Sequence, residues 1–207
     1  ELFQRHDEDG AWVSLGTQVA SNGGEYDQFG YSVDLDGERL VVGAPAHGLL
    51  GAKGLVYVFE RQLDGSWLET AQLSPPDKAW AFGWAVDVEG DRIAVGAKGA
   101  SDLSGGKGMA FVFGRQESGW VKMSEIKPTI SAAGDGFGGS LDLEGERLVV
   151  GAPYAWTSSS PFEGLAFVYE RVSPGWIWSQ KAVLSPDDLN DTDQFGRGVA
   201  LDGDRVV

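Results

Sequence analysis

Cysteine is absent from the 207 residues. Disulfides, thiolate nucleophiles and Cys-ligated zinc are therefore excluded together, although this leaves the compartment open, since a secreted chain of this size can do without disulfides. Histidine is almost absent, with His6 beside a turn and His47 in a loop. No His-Glu-x-x-His segment, Gly-x-Ser-x-Gly elbow or phosphate-cradling glycine loop occurs. Apolar runs are all well short of the ~18 residues of a membrane span, and no signal peptide is present, so direct membrane insertion is not expected. Basic residues are scarce: 16 Lys and Arg stand against 31 Asp and Glu, a formal charge of -15. Such a surface repels phosphate backbones and anionic membranes, and nucleic acid is excluded as a partner. Helical periodicity is missing too.

Glycine, in contrast, is abundant. There are 31 glycines, about twice the usual ~7% share, and they punctuate a repeat. Phe-Gly occurs at 29–30, 82–83, 137–138 and 195–196, and Val-Gly-Ala at 42–44, 95–97 and 150–152. An aromatic segment ending in Arg returns as "LFQR", "VYVFER", "AFVFGR" and "AFVYER", each followed by a tryptophan: Trp12, Trp67, Trp120 and Trp176. Self-similarity at a fixed period of this length marks a repeat architecture.

Each copy reads as four strands. Phe29, Tyr31, Val33 and Leu35 alternate with Gly30, Ser32, Asp34 and Asp36, the period of a strand. Asp36-Gly37 suits a two-residue hairpin, where both central residues need positive φ. "RLVVGA" is apolar throughout, as a strand covered on both faces would be. A glycine-rich loop leads to the aromatic third strand, and "QLDGSW" turns into the fourth. An antiparallel unit of about 50 residues, repeated, predicts an all-β fold of β-propeller blades. One blade cannot bury both faces alone, so the shared aromatic residues and tryptophans are assigned to packing between blades.

The expected division is strands three and four of a first blade in 1–28 and full blades in 29–81, 82–136 and 137–194. Strands one and two of a last blade follow in 195–207. That makes about four blades' worth. Two closures stand open: the ends pair to complete a fourth blade, or the chain is an arc of a larger ring. The start without Met and the end inside "DRVV" read as a piece of something longer, with neighbouring blades or domains in a parent chain.

Phe-Gly on the first strand, Gly-Ala-Pro after the second and an aromatic third strand resemble the FG-GAP repeat. That repeat forms the N-terminal propeller of integrin α subunits and occurs in many secreted or surface proteins of bacteria. The resemblance covers essentially the whole chain. It implies a propeller, usually of seven blades, an extracellular or cell-surface setting, and adhesion-like binding rather than catalysis; no enzyme activity and no cofactor are expected.

Integrin-type repeats often carry a calcium loop, Asp-x-Asp-x-Asp-Gly-x-x-Asp, between the first two strands. Here the segments are "DLDGER", "DVEGDR", "DLEGER" and "ALDGDR", which resemble the short-loop bacterial variety. Calcium needs six to eight oxygens around one point, and a tight turn cannot wrap them. Asp34 and Asp36 are therefore read as solvated hairpin carboxylates, and no metal is expected. The acidic loop with Asp187, Asp188, Asp191 and Asp193 is the alternative metal site.

Loops joining strands two to three and four to one share one end of a propeller and differ most between these copies, as a binding surface on a rigid scaffold would. Trp80 stands where the other copies have Asp27, Asp135 and Asp193, two residues before Phe-Gly. Tyr154 and Trp156 are aromatic exceptions in their own loop, and His47 lies in the corresponding loop of an earlier copy. An exposed tryptophan beside carboxylates suits a protein hot spot or a sugar ring. These residues are the candidate ligand-binding set, for a protein or a glycan ligand. The alternative is that each indole folds onto its own loop, leaving a structural spacer.

Overall fold

A computed structural model of the chain describes residues 1–6, 9–48, 53–75, 79–99, 106–130, 134–156, 163–172, 174–188 and 193–207. Among them there is no helix. The first sheet pairs β1 (Leu2–Arg5) with β2 (Trp12–Gly16). Sheet I follows, with β3 (Ser32–Asp36), β4 (Arg39–Ala44), β5 (Leu55–Arg61) and β6 (Trp67–Leu73) in that order. Sheet II comprises β7 (Phe82–Glu89), β8 (Arg92–Ala97), β9 (Met109–Gln116) and β10 (Gly119–Ile126). Sheet III comprises β11 (Ser140–Glu144), β12 (Arg147–Ala152), β13 (Leu165–Val172) and β14 (Ile177–Leu184). A last pair joins β15 (Leu201–Asp202) to β16 (Arg205–Val206). Within the sheets every pairing is antiparallel between sequence neighbours, and single parallel bridges link neighbouring sheets at Gly54 and Phe82, Gly108 and Phe137, and Gly164 and Phe195. The two terminal pairs form separate sheets, so the ends do not complete a blade together.

This is a β-propeller architecture. The first strands β3, β7, β11 and β15 are successive neighbours along the inside of the arc, whereas the outer strands β6, β10 and β14 barely meet. Alternation along the third strand explains the stacking. Val56 and Val58 point to one face of sheet I, and Tyr57 and Phe59 to the other. In sheet II, Ala110 and Val112 oppose Phe111 and Phe113 in the same way. Each joint sets the small-residue face of one sheet against the aromatic face of the next. Val41, Val56 and Val58 meet Phe82, Ile93, Val95, Phe111 and Phe113. Ala94, Ala110 and Val112 meet Phe137, Leu148, Val150, Phe167 and Tyr169. Phe82 and Phe137 are fully buried in these joints, while Phe29 and Phe195, in the outer units, are half-buried.

Two details differ from the sequence reading. Strand β3 begins at Ser32 rather than Phe29, with Gly30 at a left-handed φ of 86° ahead of it. Its apolar alternation is also poorly covered. Tyr31, Val33 and Leu35 are exposed, whereas their counterparts Val86, Val88, Leu141 and Leu143 are buried. Sheet I meets only the two-stranded first sheet on that side, and a groove of about 480 Å³ remains there, lined by Leu2, Phe29, Val33, Leu35, Leu40 and Val42 among others.

The hairpin carboxylates are not free in solvent, and this corrects the expectation for Asp34 and Asp36. The inner strands are sheet edges, whose unpaired N–H groups need acceptors. Val88 N–H donates to Asp34 Oδ2 at 2.7 Å, Leu143 N–H to Asp87 Oδ2 at 2.7 Å, and Leu201 N–H to Asp142 Oδ2. One residue pair further on, Gly90 N–H donates to Asp36 (2.7 Å), Gly145 N–H to Glu89 (3.0 Å) and Gly203 N–H to Glu144 (2.8 Å). The carbonyls of the same three turn glycines accept from Arg39, Arg92 and Arg147. The repeated Asp/Glu-Gly-x-Arg turn thus grips the turn of the following sheet by both backbone groups.

Candidate functional site

The variable loops meet at one end of the sheets and hold one another by backbone bonds. Ala46 N–H donates to the Asp27 carbonyl at 3.2 Å, and Tyr154 N–H to the Asp135 carbonyl at 3.0 Å. In the first and third copies the loop before Phe-Gly is thereby tied to the loop after Gly-Ala. Neighbouring sheets are joined at the same end, where Phe82, Phe137 and Phe195 donate to the carbonyls of Lys53, Lys107 and Glu163. In the second copy Gly99 lies beside the Trp80 backbone, where a Cβ would make ordinary contact.

The structure sorts the candidate residues into supports and exposed groups. Asp27 is 6% and Asp135 2% exposed, so neither presents its carboxylate to a ligand; both support their loops. Asp27 Oδ2 lies 2.7 Å from His47 Nδ1 and accepts the Gly24 N–H at 2.6 Å. Burial works against its ionisation, but the Gly24 N–H, His47 and the Gly48 N–H outweigh burial and hold the carboxyl below its ordinary value. Tyr57 completes the cluster, donating to Asn22 Oδ1 at 2.8 Å with its oxygen 3.4 Å from His47 Nδ1. Burial, then the charges of Asp27 and Glu69, push the Tyr57 hydroxyl up to about 12. Asn22 and Tyr57 were not among the sequence candidates. Their signal was weak, a tyrosine inside an otherwise structural strand.

Trp80 and Trp156 are 47% and 61% exposed. Tyr154 is half-buried and Asp193 exposed. Asp187 and Asp188 are exposed, and Asp191 lies outside the described residues. Among the described residues, no three carboxylates or imidazoles stand close enough together to hold a metal ion. Of the candidate side chains, Trp80 and Trp156 are thus the large aromatic groups that the loops leave exposed.

Comparison with known proteins matches the FG-GAP repeat to residues 12–59, 67–113, 120–169 and 178–207. The chain belongs to the FG-GAP repeat family. The first three matched segments of this FG-GAP chain run from the outer strand of one sheet through the third strand of the next, for example β2 to β5, and the last runs from β14 to β16. The family's unit thus spans a joint rather than a sheet. FG-GAP repeats form propeller binding modules. A search of curated proteins gave no match. Among solved structures, Sqt1 of Saccharomyces cerevisiae is 9% identical with a TM-score of 0.47; the alignment covers 78% of this FG-GAP chain and 37% of Sqt1. The chain thus spans well under half the length of that protein, and no functional argument is taken from it.

Proposed function

We propose that this FG-GAP propeller is a non-catalytic interaction module, extracellular or displayed at a cell surface, that recognises a protein partner in the manner of an adhesin through its variable loop face. The observation that carries the reading is the exposure of Trp80 and Trp156 at the loop end of the sheets, where the Tyr154 N–H ties the loop that bears Trp156 to the Asp135 carbonyl. A large indole on a braced loop loses little conformational freedom on binding, which is what makes tryptophan a frequent anchor. The family's usual setting and its role as a binding module support the same reading.

Pull-down from the native surroundings, run beside a glycan array, tests it. Trp80→Ala and Trp156→Ala should each weaken capture of the partner by roughly 2 kcal/mol or more, with melting temperatures close to the parent. Capture unaffected by either substitution would leave the module as a spacer. Indole-dependent binding to the array alone would make it a lectin.

A further inference from the structure

The position two residues after each repeated phenylalanine varies sharply: Tyr31, Trp84, Gly139 and Arg197. It lies where the chain enters the inner strand of each copy, on the inside of the arc. The Tyr31 and Trp84 rings meet at 4.4 Å with planes tilted by 53°. Lys98 stands where the other copies have Pro45 and Pro153. Its Nζ lies 3.1 Å from the Trp84 ring centroid and 5.7 Å from that of Tyr154. Burial, then the nearby Arg197 charge, lowers the Lys98 ammonium from its ordinary value. Side chains from four successive copies converge on this mouth: Tyr31, Trp84 with Lys98, Tyr154 and Arg197.

The mouth holds two cations in a chain where acidic residues outnumber basic ones almost two to one. Arg39, Arg61, Arg92, Arg115, Arg147 and Arg171 all have carboxylate partners. Among the described residues, Lys98 and Arg197, like the scattered Arg5, Lys107 and Arg205, have no carboxylate partner; Arg197 donates to the Gln194 side chain at 3.1 Å. Two like charges beside aromatic walls repel one another in a setting of reduced dielectric, and an anion between them relieves both the repulsion and the lost hydration. The Trp84 face is already occupied by the chain's own ammonium, so the mouth is matched to a negative group. We propose that it receives a single carboxylate, the side chain of an Asp or Glu of a protein partner, between Lys98 and Arg197 with the exposed Tyr31 ring alongside. A polyanionic glycan would meet the remaining surface of this strongly acidic chain, whereas a peptide can present one carboxylate among neutral or basic residues. The inference rests on the protein-recognition reading but uses different residues.

The test titrates the whole chain with synthetic peptides bearing one central Asp or Glu flanked by Gly and Lys, with matched Asn and Gln peptides and glucuronate oligosaccharides, by calorimetry and tryptophan fluorescence. The acidic peptides should bind about tenfold or more tighter than the amides. Lys98→Met and Arg197→Gln should each remove about that advantage, and Lys98→Arg should retain part of it. Equal affinity for the amides, no binding of acidic peptides, or indifference to both Lys98→Met and Arg197→Gln overturns the proposal. Preferential binding of the oligosaccharides overturns the protein assignment. Partner capture that depends on Trp80 and Trp156 but not on Lys98 leaves the proposed function standing and removes this inference alone.

Discussion

Gly43 and Gly83 lie in direct contact across the joint between sheets I and II. A Cβ on Gly43 would overlap the Gly83 carbonyl oxygen, and one on Gly83 would come within 3.2 Å of the Gly43 Cα. Gly96 and Gly138, and Gly151 and Gly196, repeat the contact at the next joints. The Gly of Gly-Ala and the Gly of the following Phe-Gly are therefore two halves of one backbone contact.

Gly96→Ala should force sheets II and III apart. The obstacle is backbone rather than a mobile side chain, so the cost should reach or exceed the upper end of ordinary overpacking, about 3 kcal/mol. That corresponds to a fall in Tm of roughly 6–12 °C. Gly198→Ala, where no atom lies within 4 Å, should change Tm by less than about 2 °C. Similar Tm values for the two variants would remove the contact as the reason for the glycine.

Phe82→Ala should cost about 3–5 kcal/mol, because the ring is fully buried against Phe111 and Phe113 and faces the valines of sheet I. Phe195→Ala, at a half-buried ring, should cost less. Chemical denaturation with a common m-value compares them, and equal losses would show that the joint does not set the cost.

Asp87 gives the fold a pH dependence. Burial, then hydrogen bonding with Asp142 and Asp34, raises its carboxyl to about 9. A carboxyl raised in the folded state holds its proton more tightly there than in the unfolded chain. Its stabilising contribution is complete below the unfolded value of ~3.9 and is lost as pH rises toward about 9. Asp87→Asn keeps an oxygen for the Leu143 N–H and removes the charge. It should raise Tm at pH 8 by about 2–4 °C, or ~1 kcal/mol, and the gain should shrink toward pH 4. A loss of stability at pH 8 would show that the ionised form is the one the fold requires.

Asp27 titrates in the opposite sense. Its carboxyl is depressed in the folded state, so its contribution is present above ~3.9 and lost as pH falls through the lower folded value. Asp27→Ala removes the acceptor for the Gly24 N–H and the partner of His47. It should cost about 1–3 kcal/mol at neutral pH, and the deficit should narrow in acid. Faster amide exchange at Gly24 and Ala46 would show that the loop itself loosens; unchanged exchange there would contradict the bracing role.

The repeat, the sheet order and the burial of Phe82 and Phe137 were legible because alternation and spacing are properties of one chain segment. The role of Asp34 was not. Its partner, the Val88 N–H, lies in another copy, and only the offset between stacked sheets brings the two together. A carboxylate beside a tight turn looks solvated when the next turn is out of view. Asp27 and Asp135 failed as ligand candidates for a related reason: variation between copies marks the loop, but not which of its side chains points inward. Whether Trp80 and Trp156 stand exposed or fold onto their loops was open in the sequence and is decided by the structure; the mouth formed by Tyr31, Trp84, Lys98 and Arg197 likewise required the third dimension. Its trace in the sequence was the irregularity of one position within an otherwise repeated strand.

The grip of each turn on the next runs one way only. Sheets I, II and III each offer carboxylates and an arginine forward, sheets II and III and the last pair receive them from behind, and at the two joints between the four-stranded sheets the small-residue face looks toward the aromatic face of the successor. Such a head-to-tail joint is compatible with its own copy. A duplicated segment arrives carrying both halves of the contact and fits at any existing joint without a compensating change. The number of blades is consequently not written into any single interface. It is left to the curvature that the joints accumulate, and lengthening or shortening the array demands no new surface chemistry.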